Sequence, residues 1–407
     1  MIHRLEIENF YSIRETQVID LRIGAKVPDE EGRFGQIRDG SDVRVPKTVA
    51  FFGANASGKS NVLKALALLR WLLVDSVKEV PDAMLPFMPF ADATGVASAT
   101  RIKVNFDWFP DLSNINLREM EGRPFTHYSY EVRLLNVAGQ GGNVLSEELR
   151  LHPIIGKSKN IFKRDEDGKV QTAPKYSMKK YGQILAKLRK NASLTSTLAQ
   201  FAGNFPLSLF WDWAKRIPSN IFLDKVDLLD ASIVQYYVDH PDILNRLNEV
   251  INKIDLGLSS MSLVQFPTGI GAMFAHKGLD RPLLFQFESE GTKNFVKVFP
   301  YIKESLIVGG IAVVDELDSA IHPALLPEIM RWFHDPKENP RNAQLWFSGH
   351  SASLLEELKK EEIFFTEKDE QGRTKIYGLK DIEGVRRVDN FYQKYLGGVY
   401  GAVPRIG

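Results

Sequence analysis

The octapeptide Gly53-Ala54-Asn55-Ala56-Ser57-Gly58-Lys59-Ser60 holds the residue types that cradle a polyphosphate. Glycines let successive backbone N–H groups turn inward around phosphate oxygens, and a helix beginning at the end of the loop presents its positive N-terminus to the same oxygens. Lys59 is placed to pair with β- and γ-phosphates, and Ser60 to offer its hydroxyl to Mg²⁺, a cation that takes few protein oxygens. The pattern G-x-x-x-x-G-K-[ST] carries weight only between a strand and a helix. Both flanks read that way: Thr48–Phe52 is a short apolar run that stops at Gly53, and Asn61–Val77, apolar almost all round and free of Gly and Pro, predicts a buried helix.

A second constellation lies far downstream. Ile311-Ala312-Val313-Val314-Asp315-Glu316 is an apolar strand ending in paired carboxylates. Asp315 is expected to complete the magnesium shell, and Glu316, one residue further, to accept a proton from the attacking water or orient it. His350 directly follows the strand Leu345-Trp346-Phe347, where it can reach the γ-phosphate or the lytic water. A lone histidine after a strand is a weak signal, and its place in the order phosphate loop, acidic strand, histidine is what raises it. Ser289-Glu290-Gly291 opens a helical run and would offer a hydroxyl and bare amides to an anion; a plain N-cap at Ser289 explains the same residues on spacing alone.

The elements that must position these residues follow from pattern. The chain has 407 residues, 44% apolar and 25% charged, with a net charge of +1 and no cysteine. That is an ordinary globular composition of two to three domains, without disulfides, zinc ribbons or thiol chemistry. No apolar run is long enough to span a bilayer, and the N-terminus lacks a signal-peptide core, so a cytoplasmic protein with no membrane partner is expected. Leu5–Phe10, Ile102–Trp108 and Tyr128–Leu134 alternate as half-buried strands, and Ile311–Val314, Leu345–Phe347 and Ile363–Phe365 are short apolar strands separated by helical stretches. Between them, about 157–255 has helical spacing broken by Pro206, Pro218 and Pro241. The reading is an α/β fold in three parts: an N-terminal lobe with the phosphate loop and antiparallel strands (1–150), a mainly helical insertion (151–284), and a C-terminal lobe with the acids and His350 (285–407).

Taken together these residues resemble the ABC-type ATPases of the SMC, RecF and OLD group. The opening strand and turn of that group look like Leu5-Glu6-Ile7-Glu8-Asn9-Phe10-Tyr11-Ser12, and its phosphate loop looks like Gly53 to Asn61. Its post-acid loop looks like Leu317-Asp318-Ser319-Ala320-Ile321-His322-Pro323, and its histidine switch like His350. The resemblance implies an ABC-type ATPase head with a mixed sheet, ATP and Mg²⁺ as cofactors, and nucleotide sandwiched between two copies, with Ser289 and Gly291 contacting the nucleotide held by the phosphate loop of the other copy. Two departures stand out: no Q-loop glutamine can be placed, and the signature reads Glu-Ser-Glu-Gly. The tail Tyr395-Leu396-Gly397-Gly398-Val399-Tyr400-Gly401-Ala402-Val403-Pro404 is similar to the ends of the smaller OLD-related ATPases of bacterial phage-defence operons, such as the RloA or AbiL type and the ATPase subunits of the PARIS and Septu systems. That likeness implies a homodimer or higher oligomer working with a separately encoded nuclease or effector. A Toprim nuclease domain would need more chain than follows His350, so no nuclease site is expected here.

Residues 157–190 carry 11 basic and three acidic side chains, among them Lys179, Lys180 and Lys187, with Phe162, Tyr176 and Tyr181 interleaved. Such a stripe can hold a nucleic-acid backbone, with the aromatics stacking; a solvated helical face or a contact for an acidic partner protein are the other readings. The functional alternatives to an ATPase regulator are a scaffold that uses ATP as a structural ligand and a DNA-repair ATPase of the RecF kind.

Overall fold

The structure, a computed structural model, describes residues 1–29, 31–38, 40–108, 126–153, 155–203, 205–223, 230–253, 257–267, 269–319, 321 and 325–403. The chain opens with β1 (Ile2–Glu8), β2 (Gln17–Asp20), β3 (Phe34–Gln36), β4 (Arg44–Pro46), β5 (Thr48–Phe52) and α1 (Lys59–Val74). Then come β6 (Thr100–Trp108), β7 (Thr126–Val137), β8 (Gly141–His152), β9 (Lys159–Arg164) and β10 (Val170–Thr172). The middle holds α2 (Gly182–Leu185), α3 (Leu194–Phe201), α4 (Ser208–Lys215), α5 (Asp230–Asp239) and α6 (Pro241–Lys253), followed by β11 (Leu258–Phe266), β12 (Gly269–His276) and β13 (Leu283–Leu284). The last third has α7 (Glu290–Val308), β14 (Ile311–Val314), α8 (Leu326–His334), β15 (Gln344–Ser348), β16 (Ile363–Lys368), β17 (Thr374–Gly378) and α9 (Phe391–Leu396).

Two sheets matter for the site. The first runs β10-β9-β8-β7-β6-β1-β2 and is antiparallel throughout. The second runs β14-β15-β5-β16-β17, with β14, β15, β5 and β16 parallel and β17 antiparallel at one end. Residues 48–52 thus sit among strands from the far end of the chain. Parallel strands are covered on both faces, which is why they read as continuous apolar runs. In β5, Val49 and Phe51 join a core shared with α1 and the antiparallel sheet, whereas Ala50 and Phe52 join a core built with α5 to α8. The same alternation puts Val313 and Trp346 on one side, Val314 and Phe347 on the other.

Helix α1 is the link between the sheets. Twelve of its residues are buried, including Val62, Leu66, Leu69 and Leu73, and truncating one such leucine to alanine costs about 2 to 5 kcal/mol. It starts at Lys59 and stops at Val74, short of the expected Val77, because the Ser76 hydroxyl turns back to donate to the Leu72 carbonyl at 2.6 Å and residues 76–78 tighten into a 3-10 turn.

The stretch 157–172, expected to be helical, holds the two strands β9 and β10 joined by a turn. Lys159–Arg164 pairs with β8 and buries Ile161 and Phe162, so sheet pairing overrides the lysine-rich local pattern. The stripe on this segment is also thinner than its sequence suggests. Arg164 is buried against Glu147 at 3.4 Å, and the Arg189 guanidinium donates to the Val77 and Glu79 carbonyls. Phe162, Tyr176 and Tyr181 are buried, with Lys175 and Lys180 lying over the two tyrosine rings, so these aromatics offer no face for a base.

Candidate nucleotide-binding site

The phosphate loop is pinned from outside by hydroxyls of the β16–β17 hairpin. Ser57 Oγ lies 2.6 Å from Thr366 Oγ1, and Thr374 Oγ1 donates to the Ser57 carbonyl at 2.8 Å. Thr374 also meets Ser12 Oγ at 2.6 Å, and Asn61 Nδ2 donates to that same Ser12 oxygen at 2.7 Å. The first-strand turn, the phosphate loop and the last hairpin are therefore one hydrogen-bonded frame. Gly58 adopts φ 109°, and a Cβ there would meet Thr374 Oγ1 at 2.3 Å, so only glycine permits this close approach.

Helix α1 begins at Lys59 with no side-chain cap on its first turn; the Asn61 N–H donates to the Gly58 carbonyl at 3.1 Å, which leaves the amides ahead of it to a ligand. The Lys59 ammonium folds back onto the Gly53 and Ala54 carbonyls at 2.9 and 3.1 Å. Burial lowers its pKa, against the pull of Asp315, Asp318 and Glu316, which raise it. The loop lines a cavity of about 1360 Å³ together with Glu316 and His350. Gly53, Asn55, Ser57, Gly58, Lys59, Ser60 and Asn61 all border it.

The acids arrive from β14. Ser60 Oγ donates to Asp315 Oδ1 at 3.0 Å, and Ser348 Oγ, at the end of β15, donates to the same oxygen at 2.5 Å. Ser348 Oγ in turn accepts the Glu316 N–H at 2.8 Å, and the Ser348 carbonyl accepts the Leu317 N–H at 3.1 Å. Glu316 needs this support, because it stands at φ 50°, a left-handed conformation that a residue with a side chain adopts at a cost and that recurs at functional sites. His350 Nε2 lies 3.5 Å from Glu316 Oε1. The turn bearing His350 is held by Asp318, whose Oδ2 accepts the His350 N–H at 2.6 Å and also the Ser351 N–H.

The strand carrying the acids has a further neighbour from the middle region. Ile311 and Val313 donate to the carbonyls of Arg216 and Pro218 at 2.7 and 2.9 Å, and the Asn220 N–H donates to the Val313 carbonyl. Asn220 then clamps Asp315 through both ends of its amide: Oδ1 accepts the Asp315 N–H at 2.7 Å, and Nδ2 donates to the Asp315 carbonyl at 3.1 Å. Sequence reasoning missed Asn220, Ser348, Thr366 and Thr374, since a side chain that ties down a distant backbone leaves no local pattern.

Ser289 and Gly291 do not border the cavity. Ser289 caps α7 through an acceptor bond from the Thr292 N–H at 3.1 Å, and both residues are exposed. Of the post-acid loop, Ala320, His322 and Pro323 lie outside the described residues, as does Pro404 of the tail.

The oxygens of Ser60 and Asp315, hydrogen-bonded to one another at the mouth of the loop, are the hard donor set a magnesium ion uses alongside phosphate and water, and the uncapped amides beside them suit a polyphosphate. Fold and site together define an α/β architecture of the P-loop type, with a mixed sheet carrying the phosphate loop. Residues 49–128 and 156–356 match the family described as "AAA domain, putative AbiEii toxin, Type IV TA system", and the chain belongs to that family. No curated protein matches the chain. Among solved structures it is similar to an Smc head bound to the C-terminal winged-helix domain of ScpA, with 14% identity over 93% of this chain and 97% of that one and a TM-score of 0.47. An SMC head from Thermotoga maritima matches at 14% identity over 93% and 98% of the two chains, TM-score 0.40. An Smc head with an extended coiled coil, bound to a ScpA domain derived from Pyrococcus furiosus, matches at 13% identity over 93% and 96%, TM-score 0.43. Among the described residues no helix is long and apolar enough to cross a membrane.

Proposed function

We propose that this chain is a Mg²⁺-dependent ATPase that pairs with a second copy around bound ATP and uses turnover to restrain or release a separately encoded effector in defence against phage. The observation that carries the enzymatic part is the meeting of Ser60, Asp315, Glu316 and His350 at the mouth of one phosphate loop. The toxin-system family supports the defence part.

In this reading the α1 amides and Lys59 hold the β- and γ-phosphates, and Ser60 and Asp315 would hold the magnesium ion. When bound, that ion supplies charge neutralisation at the β- and γ-oxygens. Glu316 takes the proton of the attacking water, and His350 orients the water or bonds the γ-phosphate. Asp318 keeps the His350 turn in reach of Glu316. Ser289 and Gly291, exposed on α7, are free to meet the nucleotide of a second copy.

The test is ATP turnover and solution mass, with and without Mg-ATP, for the wild type, Lys59→Ala and Glu316→Gln, together with co-purification of the neighbouring gene's product. A dimer trapped by ATP in Glu316→Gln and absent in Lys59→Ala supports the reading. Equal turnover in all three proteins removes it.

A further inference from the structure

The tail is a sequence motif to which the proposed reaction gives no task. We propose that residues 395–403 form a strap that seats the phosphate loop in cis, the Ala402 carbonyl accepting the Ala54 N–H at 3.0 Å. The inference deepens the nucleotide-binding reading of this site and rests on it for its effect on affinity.

The strap is held at several points. Tyr395 and Tyr400 stack on Phe365 of β16, with ring centroids 5.2 and 5.9 Å away. The Tyr377 hydroxyl donates to the Tyr400 carbonyl at 2.8 Å, and Glu367 Oε2 accepts the Ala402 N–H at 3.2 Å. The Tyr395 hydroxyl donates to the Ala402 carbonyl at 3.2 Å, so that oxygen serves two donors, one from the tail and one from the loop, filling both lone pairs.

The backbone is bent to reach this position. Gly401 has φ 71°, and a Cβ there would lie 2.7 Å from Tyr377 Oη and 3.0 Å from Glu367 Oε2. Ala402 follows at φ 57°, a left-handed conformation for a residue with a side chain, so the contacts on either side over-determine it.

Placement gives the strap its task. Ala54 is the second residue of the loop, and its N–H is committed to the tail, whereas the amides at the α1 terminus remain for phosphate. Hairpin hydroxyls fix the later part of the loop at Ser57, and the tail fixes its leading edge. Tyr395, Leu396 and Val403 line the same cavity as the loop, and α9 packs on the 352–356 turn just after His350. The tail is therefore a positioning segment that touches both ends of the site.

The experiment compares Glu367→Ala, Tyr395→Phe and Ala402→Val with wild type, Glu367→Gln and Lys59→Ala. It reads amide exchange of the 53–58 segment without nucleotide, affinity for a fluorescent ATP analogue with Mg²⁺, and melting temperature. Glu367→Ala and Ala402→Val, whose β-branched side chain disfavours the left-handed conformation, should speed exchange at 53–58 and weaken nucleotide binding about 3- to 10-fold, the loss of one net hydrogen bond. Tyr395→Phe keeps the ring stack and should show the smaller share. Glu367→Gln retains an acceptor for the Ala402 N–H and should restore both values. Unchanged exchange in Glu367→Ala and Ala402→Val, or the same losses in Glu367→Gln, overturns the strap. A wild type that binds no nucleotide overturns the reading of the site instead, and the exchange arm still decides whether the tail seats the loop.

Discussion

Ser60 and Asp315 stand 255 positions apart and share one hydrogen bond, the hydroxyl donating to Oδ1 at 3.0 Å. Ser348 donates to that same oxygen from the end of β15 and accepts the Glu316 N–H on its own hydroxyl. One serine thus connects the residue expected to hold magnesium to the residue expected to act on water.

Ser348→Ala should separate those two tasks. Losing the hydroxyl leaves the half-buried Glu316 amide without its acceptor, a cost of about 1 kcal/mol. We expect a lower melting point, a raised Mg²⁺ requirement and turnover reduced about 10-fold or more, with Ser348→Thr retaining most activity. Magnesium titrations of turnover that superimpose for Ser348→Ala and wild type would refute this.

Asn220→Ala should act on the same acids from the other side. Both the N–H and the carbonyl of Asp315 lose their partners, so destabilisation of about 2 kcal/mol or more is expected. Asn220→Asp should be worse for turnover, because a carboxylate would face the Asp315 carbonyl. Denaturant midpoints and steady-state rates of the two variants check it; an Asn220→Asp protein with wild-type turnover would sink the clamp.

Glu316→Gln should keep nucleotide affinity and lose turnover by about 100- to 10,000-fold, the range for removing a general base. Lys59→Ala should lose binding itself. Equilibrium titration beside single-turnover rates distinguishes the two, and a Glu316→Gln enzyme hydrolysing at the wild-type rate would falsify the assignment.

Acid should destabilise the protein through three histidines at one end of the antiparallel sheet. His3 Nε2 lies 2.7 Å from Asp107 Oδ1; its ring is 5.1 Å from that of His127, which is 4.7 Å from His152. Burial, helped by neighbouring positive charge, lowers His127 to about 3. Burial lowers His3 against the pull of Asp107, and it lowers His152 along with Arg150 and Lys103. The folded groups stay neutral where the unfolded ones, near 6.5, take up protons. Their stabilisation is therefore complete above about pH 6.5 and falls as pH drops; for His127 the fall continues toward about pH 3, by up to about 1.4 kcal/mol per pH unit. Denaturant midpoints at pH 7 and pH 5 measure the slope, and His127→Gln should flatten it. Equal midpoints at the two pH values would count against it.

The phosphate loop, the apolar strand ending in Asp315 and Glu316, and the turn at His350 were legible because each combines a local pattern with a chemistry that few other patterns serve. Both faces of β5 and β14 are buried, so even their continuous apolar runs pointed to a covered parallel sheet. Strand β9 was not legible: Lys159 and Lys163 face solvent at a spacing that also suits a helix, and only pairing with β8 decides, after which β10 pairs with β9. Asn220 and Ser348 were invisible for a different reason. Asn220 bonds the backbone N–H and carbonyl of Asp315, and Ser348 accepts the backbone N–H of Glu316; a backbone group has no letter in the sequence.

The segment from Arg216 to Asn220 runs along β14 and bonds to it in parallel, bridged at Ser219 and Val313. It covers the row of amides and carbonyls that would otherwise make the acid-bearing edge of the sheet a template for foreign strands. Because that cover is the direct continuation of α4, any force or partner that shifts the helical region pulls on the ladder whose last rung is Asp315. The chemistry of the pocket is thus mechanically tethered to the part of the molecule that carries the surface lysines.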